Sequence, residues 1–220
     1  MTRPAAFVIA VLGAESTGKT TLAQSLRTAL VTPTCRVAVV DEYLREFCIA
    51  QGRTPHREEQ AHIADEQTRR IAAAAADHDI VIADTTALMI AVYSDQVFGD
   101  TSLYAGAQAA HSRCDLTLLT ALDIAWQPDG LQRDGPQVRA PVDARVRAAL
   151  GRAGLGYSVV TGTGAARTGA ALAGVKRALH SPPADASPDA VPWRWHCERC
   201  GDANCERRPL LPPLPPRSSR

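Results

Sequence analysis

Gly13-Ala14-Glu15-Ser16-Thr17-Gly18-Lys19-Thr20 sets two glycines on either side of four residues and follows the second at once with a lysine and a hydroxyl. That spacing has a chemical use. Glycines let the backbone curl until successive N–H groups converge on one point, which then suits an anion. A lysine beside it supplies a compact charge that reaches β- and γ-phosphates, and a threonine hydroxyl is a hard oxygen ligand for Mg²⁺. The pattern is that of a phosphate loop, G-x-x-x-x-G-K-[ST]. It predicts that Gly13, Glu15, Ser16, Thr17, Gly18, Lys19, Thr20 and Thr21 hold a nucleotide, with ATP and Mg²⁺ as the expected pair. Only two of the 24 basic residues are lysines, Lys19 and Lys176. A chain that uses arginine almost everywhere keeps lysine inside the loop.

Other chemistry-bearing residues fall at strand ends. Asp84 closes the run Ile80–Ala83 and is placed to hold Mg²⁺ together with Thr20, or to cap the helix that follows. Asp41 and Glu42 end a second apolar run, where a carboxylate can accept the proton of an attacking hydroxyl; helix capping is the competing reading. Arg45, one turn on, either meets substrate or lies on the surface. Arg133 and Arg139 sit in a stretch with Gly and Pro, where a closing lid would bring arginines to a transferring phosphoryl group.

These residues require elements to position them. Ala5–Leu12 is continuously apolar and ends at Gly13, as expected of a strand covered on both faces of a parallel sheet. Arg36–Asp41, Ile80–Asp84, Asp115–Thr120 and Tyr157–Thr161 read as four more strands. Helical spacing occupies Thr20–Val31, Glu42–Gln51, Arg57–Asp77, Thr86–Phe98, Leu103–Ser112, Pro141–Arg152 and Ala165–Leu179. Asp123–Pro141 reads as a mobile loop. Strands alternating with helices predict an α/β three-layer P-loop NTPase with a parallel sheet of about five strands. The domain is expected over residues 1–180, with a linker at 181–192 (SPPADASPDAVP) and a short irregular Cys-, Arg- and Pro-rich tail at 193–220.

Composition narrows the classes. A net charge of +1 gives no global electrostatic case for nucleic acid, and no stretch has the length of an apolar membrane span. The N-terminus lacks the pattern of a secretory leader, so a cytoplasmic protein with reduced thiols is expected. In the tail, His196, Cys197, Cys200 and Cys205 offer one imidazole and three thiolates within ten residues. Cys-x-x-Cys is half of a tetrahedral Zn²⁺ site, but a second such pair is missing and adjacent His196 and Cys197 are awkward joint ligands. Inert thiols and a redox pair stay open there. The tail holds six Arg against three acids, a modest basic bias. The oligomeric state is open, a homo-oligomer included.

Taken together, residues 13–21, Asp-Glu-Tyr-x-Arg-Glu-Phe at 41–47, Ile-Ala-Asp-Thr at 82–85, and Asp-Ile-Ala-Trp-Gln-Pro-Asp-Gly-Leu-Gln-Arg-Asp-Gly at 123–135 with Arg139 resemble the ribosylnicotinamide kinase domain of NadR-type NAD-biosynthesis proteins. The resemblance covers roughly residues 5 to 178. It implies ATP-dependent phosphorylation of the ribose 5′-hydroxyl of nicotinamide riboside. It also implies that Lys19 and Thr20 serve ATP and Mg²⁺, that Asp84 is an active-site acid, and that Arg133 and Arg139 belong to the lid. Tyr43 and Arg45 fall in the part that would meet substrate, and Trp126 is placed to stack on a base or to anchor its loop. The adenylyltransferase motif His-x-Gly-His is absent, and Ala125 stands where the family usually has proline. The chain has room for neither an adenylyltransferase domain nor a DNA-binding helix-turn-helix, so adenylyl transfer and repression are not expected. A nucleoside is the expected small-molecule partner. A regulatory ATP-binding module with a partner-binding tail is the reading from another class. A GTPase switch is disfavoured, because no Asn-Lys-x-Asp motif exists to read guanine.

Overall fold

A strand that is apolar at every position must be covered on both faces, and that requirement organises the domain. The computed structural model describes residues 5–127 and 135–180. In chain order the elements are β1 (Phe7–Leu12), α1 (Lys19–Leu30), β2 (Val37–Val40), α2 (Tyr43–Gln51), α3 (Gln60–Asp77), β3 (Ile80–Asp84), α4 (Ala87–Phe98), α5 (Tyr104–His111), β4 (Leu116–Thr120), α6 (Arg139–Arg152), β5 (Ser158–Val160) and α7 (Gly164–His180). The strands form one sheet in the order β2-β3-β1-β4-β5, and every pair is parallel.

Alternation along β1 decides which helices lie on which side. Ile9 and Val11 face the layer of α1 and α7, packing with Leu22, Leu26, Ala171 and Val175. Val8 packs on the other side with α3 residues Ile71, Ala74 and Ala75, and Leu12 with α4 and α6. Helix α1 presents Leu22, Leu26 and Leu30 at four-residue spacing, a single buried stripe. Helix α4 is different: Ala87 to Val92 are all buried, because α3, α5 and α6 surround it. Among the described residues no helix is long and apolar enough to cross a membrane.

Register brings the chemistry together. Val11 lies opposite Asp84, Leu12 opposite Leu119, and Val40 opposite Ala83. One further step along each strand sets Gly13 beside Thr120 and Asp41 beside Asp84. The ends of four strands therefore deliver the phosphate loop, both acidic positions and a threonine to one edge of the sheet, the edge where parallel α/β sheets bind ligands.

Two expected boundaries move. The helix read over Arg57–Asp77 is a 3-10 turn at Arg57–Glu59 followed by α3, entered through Glu59 Oε2 accepting the His56 N–H at 2.7 Å. The loop read over Asp123–Pro141 is shorter, since a 3-10 turn at Pro136–Val138 leads into α6 at Arg139. Pro141 is the third residue of that helix rather than its first. Its missing N–H has no intrahelical acceptor at either place, so proline alone does not fix where the helix begins. Residues 128–134, the linker and the tail lie outside the described residues, and with them Arg133, His196, Cys197, Cys200 and Cys205.

His111 couples α5 to the sheet and to α4. It is 2% exposed, with Nδ1 2.9 Å from Thr86 Oγ1 and Nε2 2.9 Å from Thr117 Oγ1. Burial holds its pKa down at about 4. Below pH 6.5 the unfolded chain binds a proton that the native state excludes, so stability is full above that pH and declines as pH falls toward about 4. The displacement corresponds to on the order of 3 kcal/mol. Urea midpoints should fall over this window more steeply for the unsubstituted protein than for His111→Gln, whose amide keeps hydrogen-bonding capacity without titrating. Equal slopes would show that His111 does not carry this dependence.

Candidate active site

The phosphate loop is shaped by two glycines with distinct duties. Gly13 has φ +148°, and a Cβ there would lie 2.0 Å from Thr120 Oγ1, so the approach of β4 leaves room only for hydrogen. Gly18, at φ +74°, turns the chain into α1 in a left-handed conformation with no side-chain cap. The first N–H groups of α1 thus stay open to a ligand, at the positive end of the helix. Ser16 is left-handed as well, at φ +54°, which keeps the loop curled.

Carbonyls turned away from the cradle have partners. Ala14 O accepts from Thr17 Oγ1 at 2.7 Å and from Lys19 Nζ at 3.0 Å. Leu12 O accepts from Thr120 Oγ1 at 3.0 Å. Thr17 O accepts from Arg167 Nη2 at 2.7 Å. Ser16 Oγ accepts the Gln127 N–H at 2.8 Å, which fastens the segment after β4 to the loop.

Beside the loop, Asp84 is 1% exposed and its Oδ2 accepts from Thr20 Oγ1 at 2.5 Å. Its Oδ1 is buried and has no hydrogen-bond partner among the described residues. Burial pushes its pKa up, the Thr20 hydroxyl, Lys19 and Arg45 pull it back, and Asp41 adds to the upward push. A desolvated carboxylate with an idle oxygen, next to a threonine hydroxyl, has the donor chemistry that Mg²⁺ takes from a protein, which usually supplies few ligands and leaves the rest to phosphate and water. Among the described residues no group of three or more His, Cys, Asp or Glu is gathered to hold a metal.

Thr85 follows at φ +80°, a strained conformation for a β-branched residue. Its N–H donates to Val11 O at 3.1 Å, and its carbonyl accepts from Gln67 Nε2 at 3.3 Å. Gln67 is fully buried. The same amide accepts the Tyr43 N–H at 2.8 Å and reaches Asp41 O at 3.4 Å. One side chain of α3 thereby ties the end of β2 to the end of β3, fixing the spacing of the two acidic positions.

A cavity of about 1180 Å³ opens over the loop, lined by Ser16 to Leu22, by Arg45, by Ile124, Ala125 and Gln127, and by Thr163 to Ala165 with Arg167 and Thr168. Lys19, Thr20, Thr21 and Arg45 are therefore brought to one cavity, with Asp84 bonded to Thr20. Trp126 does not line this cavity; its neighbours on both sides do. Tyr43 does not line it either, and its ring meets Phe47, His62 and the Arg70 guanidinium, the last at 4.4 Å. Arg139 is a correction: it lies 8% exposed in the first turn of α6, not in a loop. Its Nε and Nη2 have no partner among the described residues.

Sequence reasoning passed over Thr120, Gln67, Asp123 and Arg167. Thr120 carried a signal, since it ends a strand that must lie next to β1. Asp123 stands first in the 123–135 segment but has no role assigned to it there, and Gln67 and Arg167 carry no signal.

The family described as "AAA domain" matches residues 8–167. No curated protein matches the chain. Among solved structures, a NadR protein in complex with NAD and AMP-PNP is similar at TM-score 0.65 and 21% identity, over 83% of this chain and 52% of that one. A NadR protein in complex with NR is similar at 0.62 and 19%, with the same coverage. Deoxyadenosine kinase from M.mycoides, with products dcmp and a flexible dcdp bound, is similar at 0.55 and 12%, over 78% of this chain and 100% of that one. The chain spans about half the length of the two NadR chains. At these identities the likeness shows a shared fold.

The Gln67 network makes a measurable claim. Gln67→Glu keeps the acceptor for Tyr43 N–H but turns the donor toward Asp41 O and Thr85 O into a lone pair. It should destabilise the protein by about 2 kcal/mol or more in denaturant unfolding. Lowering the pH until the new carboxyl protonates should return part of the loss. A variant as stable as the parent would remove Gln67 from its place between the two strand ends.

Proposed function

This chain belongs to the AAA domain family, and from that premise we propose that it is an ATP-dependent kinase phosphorylating the ribose 5′-hydroxyl of a nucleoside. Nicotinamide riboside is the first acceptor to test, in a cytoplasmic NAD-salvage role. The observation that carries the reading is the contact between Thr20 of the phosphate loop and the buried Asp84, at 2.5 Å, with Asp84 Oδ1 left idle beside the cavity. The two NadR structures, one with AMP-PNP and the other with NR, support the choice of nucleotide and acceptor.

In this reading the phosphate-loop N–H groups and Lys19 bind the β- and γ-phosphates. Thr20 and Asp84 hold Mg²⁺, which when bound neutralises charge on the phosphate oxygens. The 5′-hydroxyl attacks the γ-phosphorus; a bond forms between them, the bond to the ADP oxygen breaks, and the hydroxyl proton passes to a carboxylate. Asp41 and Glu42 are the candidates for that base, at the end of the strand next to Asp84. Arg45 faces the cavity and is placed to orient the acceptor or its phosphate. Arg133 and Arg139 are the candidates for positive charge on the transferring phosphoryl group; Trp126 and Tyr43, which do not line the cavity, are assigned no contact with the acceptor. A zinc-holding tail at His196, Cys197, Cys200 and Cys205 belongs to the rival reading, a regulatory ATPase.

Purified protein with ATP and Mg²⁺ should form ADP only when the riboside is present, with an equal amount of mononucleotide by chromatography. Lys19→Ala should lower turnover by ~10²-fold or more. ADP formed at one rate with and without any nucleoside would favour the regulatory ATPase.

The base can be assigned with two variants. Of Asp41→Asn and Glu42→Gln, one should lose ~10²–10⁴-fold in kcat with the KM for ATP little changed. If neither falls, the proton leaves by another route and neither residue is the base.

A further inference from the structure

Nothing in the phosphate-loop pattern calls for a second cation behind the loop, yet the structure holds one. Arg167, in the first turns of α7, is 5% exposed and lines the cavity wall. Its Nη2 donates to Thr17 O at 2.7 Å and its Nη1 to Gly162 O at 2.8 Å, with Asp123 Oδ1 at 3.4 Å. Asp123 Oδ2 in turn accepts the Gly162 N–H at 2.5 Å. One guanidinium thus joins the phosphate loop, the end of β5 and the residue where the chain leaves β4.

The consequence follows from peptide geometry. In a trans peptide the C=O and the N–H point in opposite directions. Drawing the Thr17 carbonyl toward Arg167 turns the N–H of Gly18 the other way, toward the cradle. Arg167 therefore sets the aim of an anion-binding amide and adds its charge from behind. The same fixing reaches the cavity wall. The 123–127 segment is held at one end through Asp123 and at the other by Ser16 Oγ accepting the Gln127 N–H, with Ile124 and Ala125 facing the cavity between.

We propose that Arg167 is a positioning residue for the nucleotide's phosphates, aligned by Asp123, so that the aim of the Gly18 N–H and the placement of the 123–127 wall are set together. The inference rests on reading the cavity as an ATP site, but not on the acceptor. It predicts a split that a purely structural staple would not give. Phosphate-bearing ligands should lose affinity when Arg167 changes, and the bare nucleoside should not.

The experiment is calorimetric titration of the full chain with MgADP, and saturation-transfer NMR with adenosine. The proteins compared are the unsubstituted chain, Arg167→Met, Arg167→Lys and Asp123→Asn, each checked for folding by its thermal midpoint. Arg167→Met should bind MgADP about tenfold or more weaker, with adenosine affinity within about twofold. Arg167→Lys, which keeps a cation but loses the fork, should fall between, and Asp123→Asn should show a smaller loss of the same kind. Should Arg167→Met fail to fold, the ordering of the other two carries the test. Equal losses for both ligands, or none for either, overturn the inference while leaving the ATP site standing. Absence of MgADP binding by the unsubstituted chain overturns the ATP-site reading itself, and this inference with it.

Discussion

A loop that turns its N–H groups inward to meet an anion must turn its carbonyls outward, and each buried carbonyl left without a donor costs about 1–3 kcal/mol. Much of this structure is the answer to that constraint. Leu12 O is met by Thr120 from β4, Ala14 O by Thr17 and Lys19, and Thr17 O by Arg167 from α7. Two of these donors come from elements far along the chain. They reach the loop only because β4 is the direct neighbour of β1 and α7 shares a face of the sheet with α1. Strand order and anion binding are thus one requirement stated twice.

The acidic side of the site obeys a related logic. Asp84 is withdrawn from water, which disfavours its charge, while Lys19 and Arg45 favour it. A carboxylate in that balance gains most from a further cation, and its idle Oδ1 is where one would be met. The strained backbone at Thr85 is held by Val11 on one side and Gln67 on the other, so the strain is sustained by its surroundings. Because Gln67 also holds Asp41 O and Tyr43 N–H, the acid proposed to meet the metal and the acids proposed to meet the acceptor cannot drift apart independently.

How much of this the sequence discloses depends on the range over which each residue acts. The phosphate loop is legible because its requirements are local: two glycines, a lysine and a hydroxyl within eight positions. The strands are legible because coverage on both faces leaves continuous apolar runs, and all five lie within the segments read for them. Asp84 and Asp41 are legible because strand ends are. Arg167 is not, since it acts on Thr17 across 150 positions and is one of many arginines in a chain that uses almost no lysine. Gln67 is hidden for the opposite reason. A polar residue in an amphipathic helix reads as solvent-facing, and only the packed structure shows that it is buried. The start of α6 at Arg139 is not legible from Pro141, because proline is compatible with the whole first turn.

Proton accounting at the back of the loop shows why threonine occupies two neighbouring positions there. Thr17 Oγ1 and Thr120 Oγ1 lie 2.7 Å apart, and each also faces a carbonyl, Ala14 O at 2.7 Å and Leu12 O at 3.0 Å. Two hydroxyl protons cannot serve three contacts at once, so the pair has alternative arrangements. Ala14 O has a second donor in Lys19 Nζ, one that can be drawn away when the ammonium engages a phosphate. With Thr17 then donating to Ala14 O, and Thr120 to Leu12 O, neither carbonyl is stranded. Replacing either hydroxyl with a methyl would remove that reserve. The loop can release its lysine to the ligand because the hydroxyl pair keeps both carbonyls supplied.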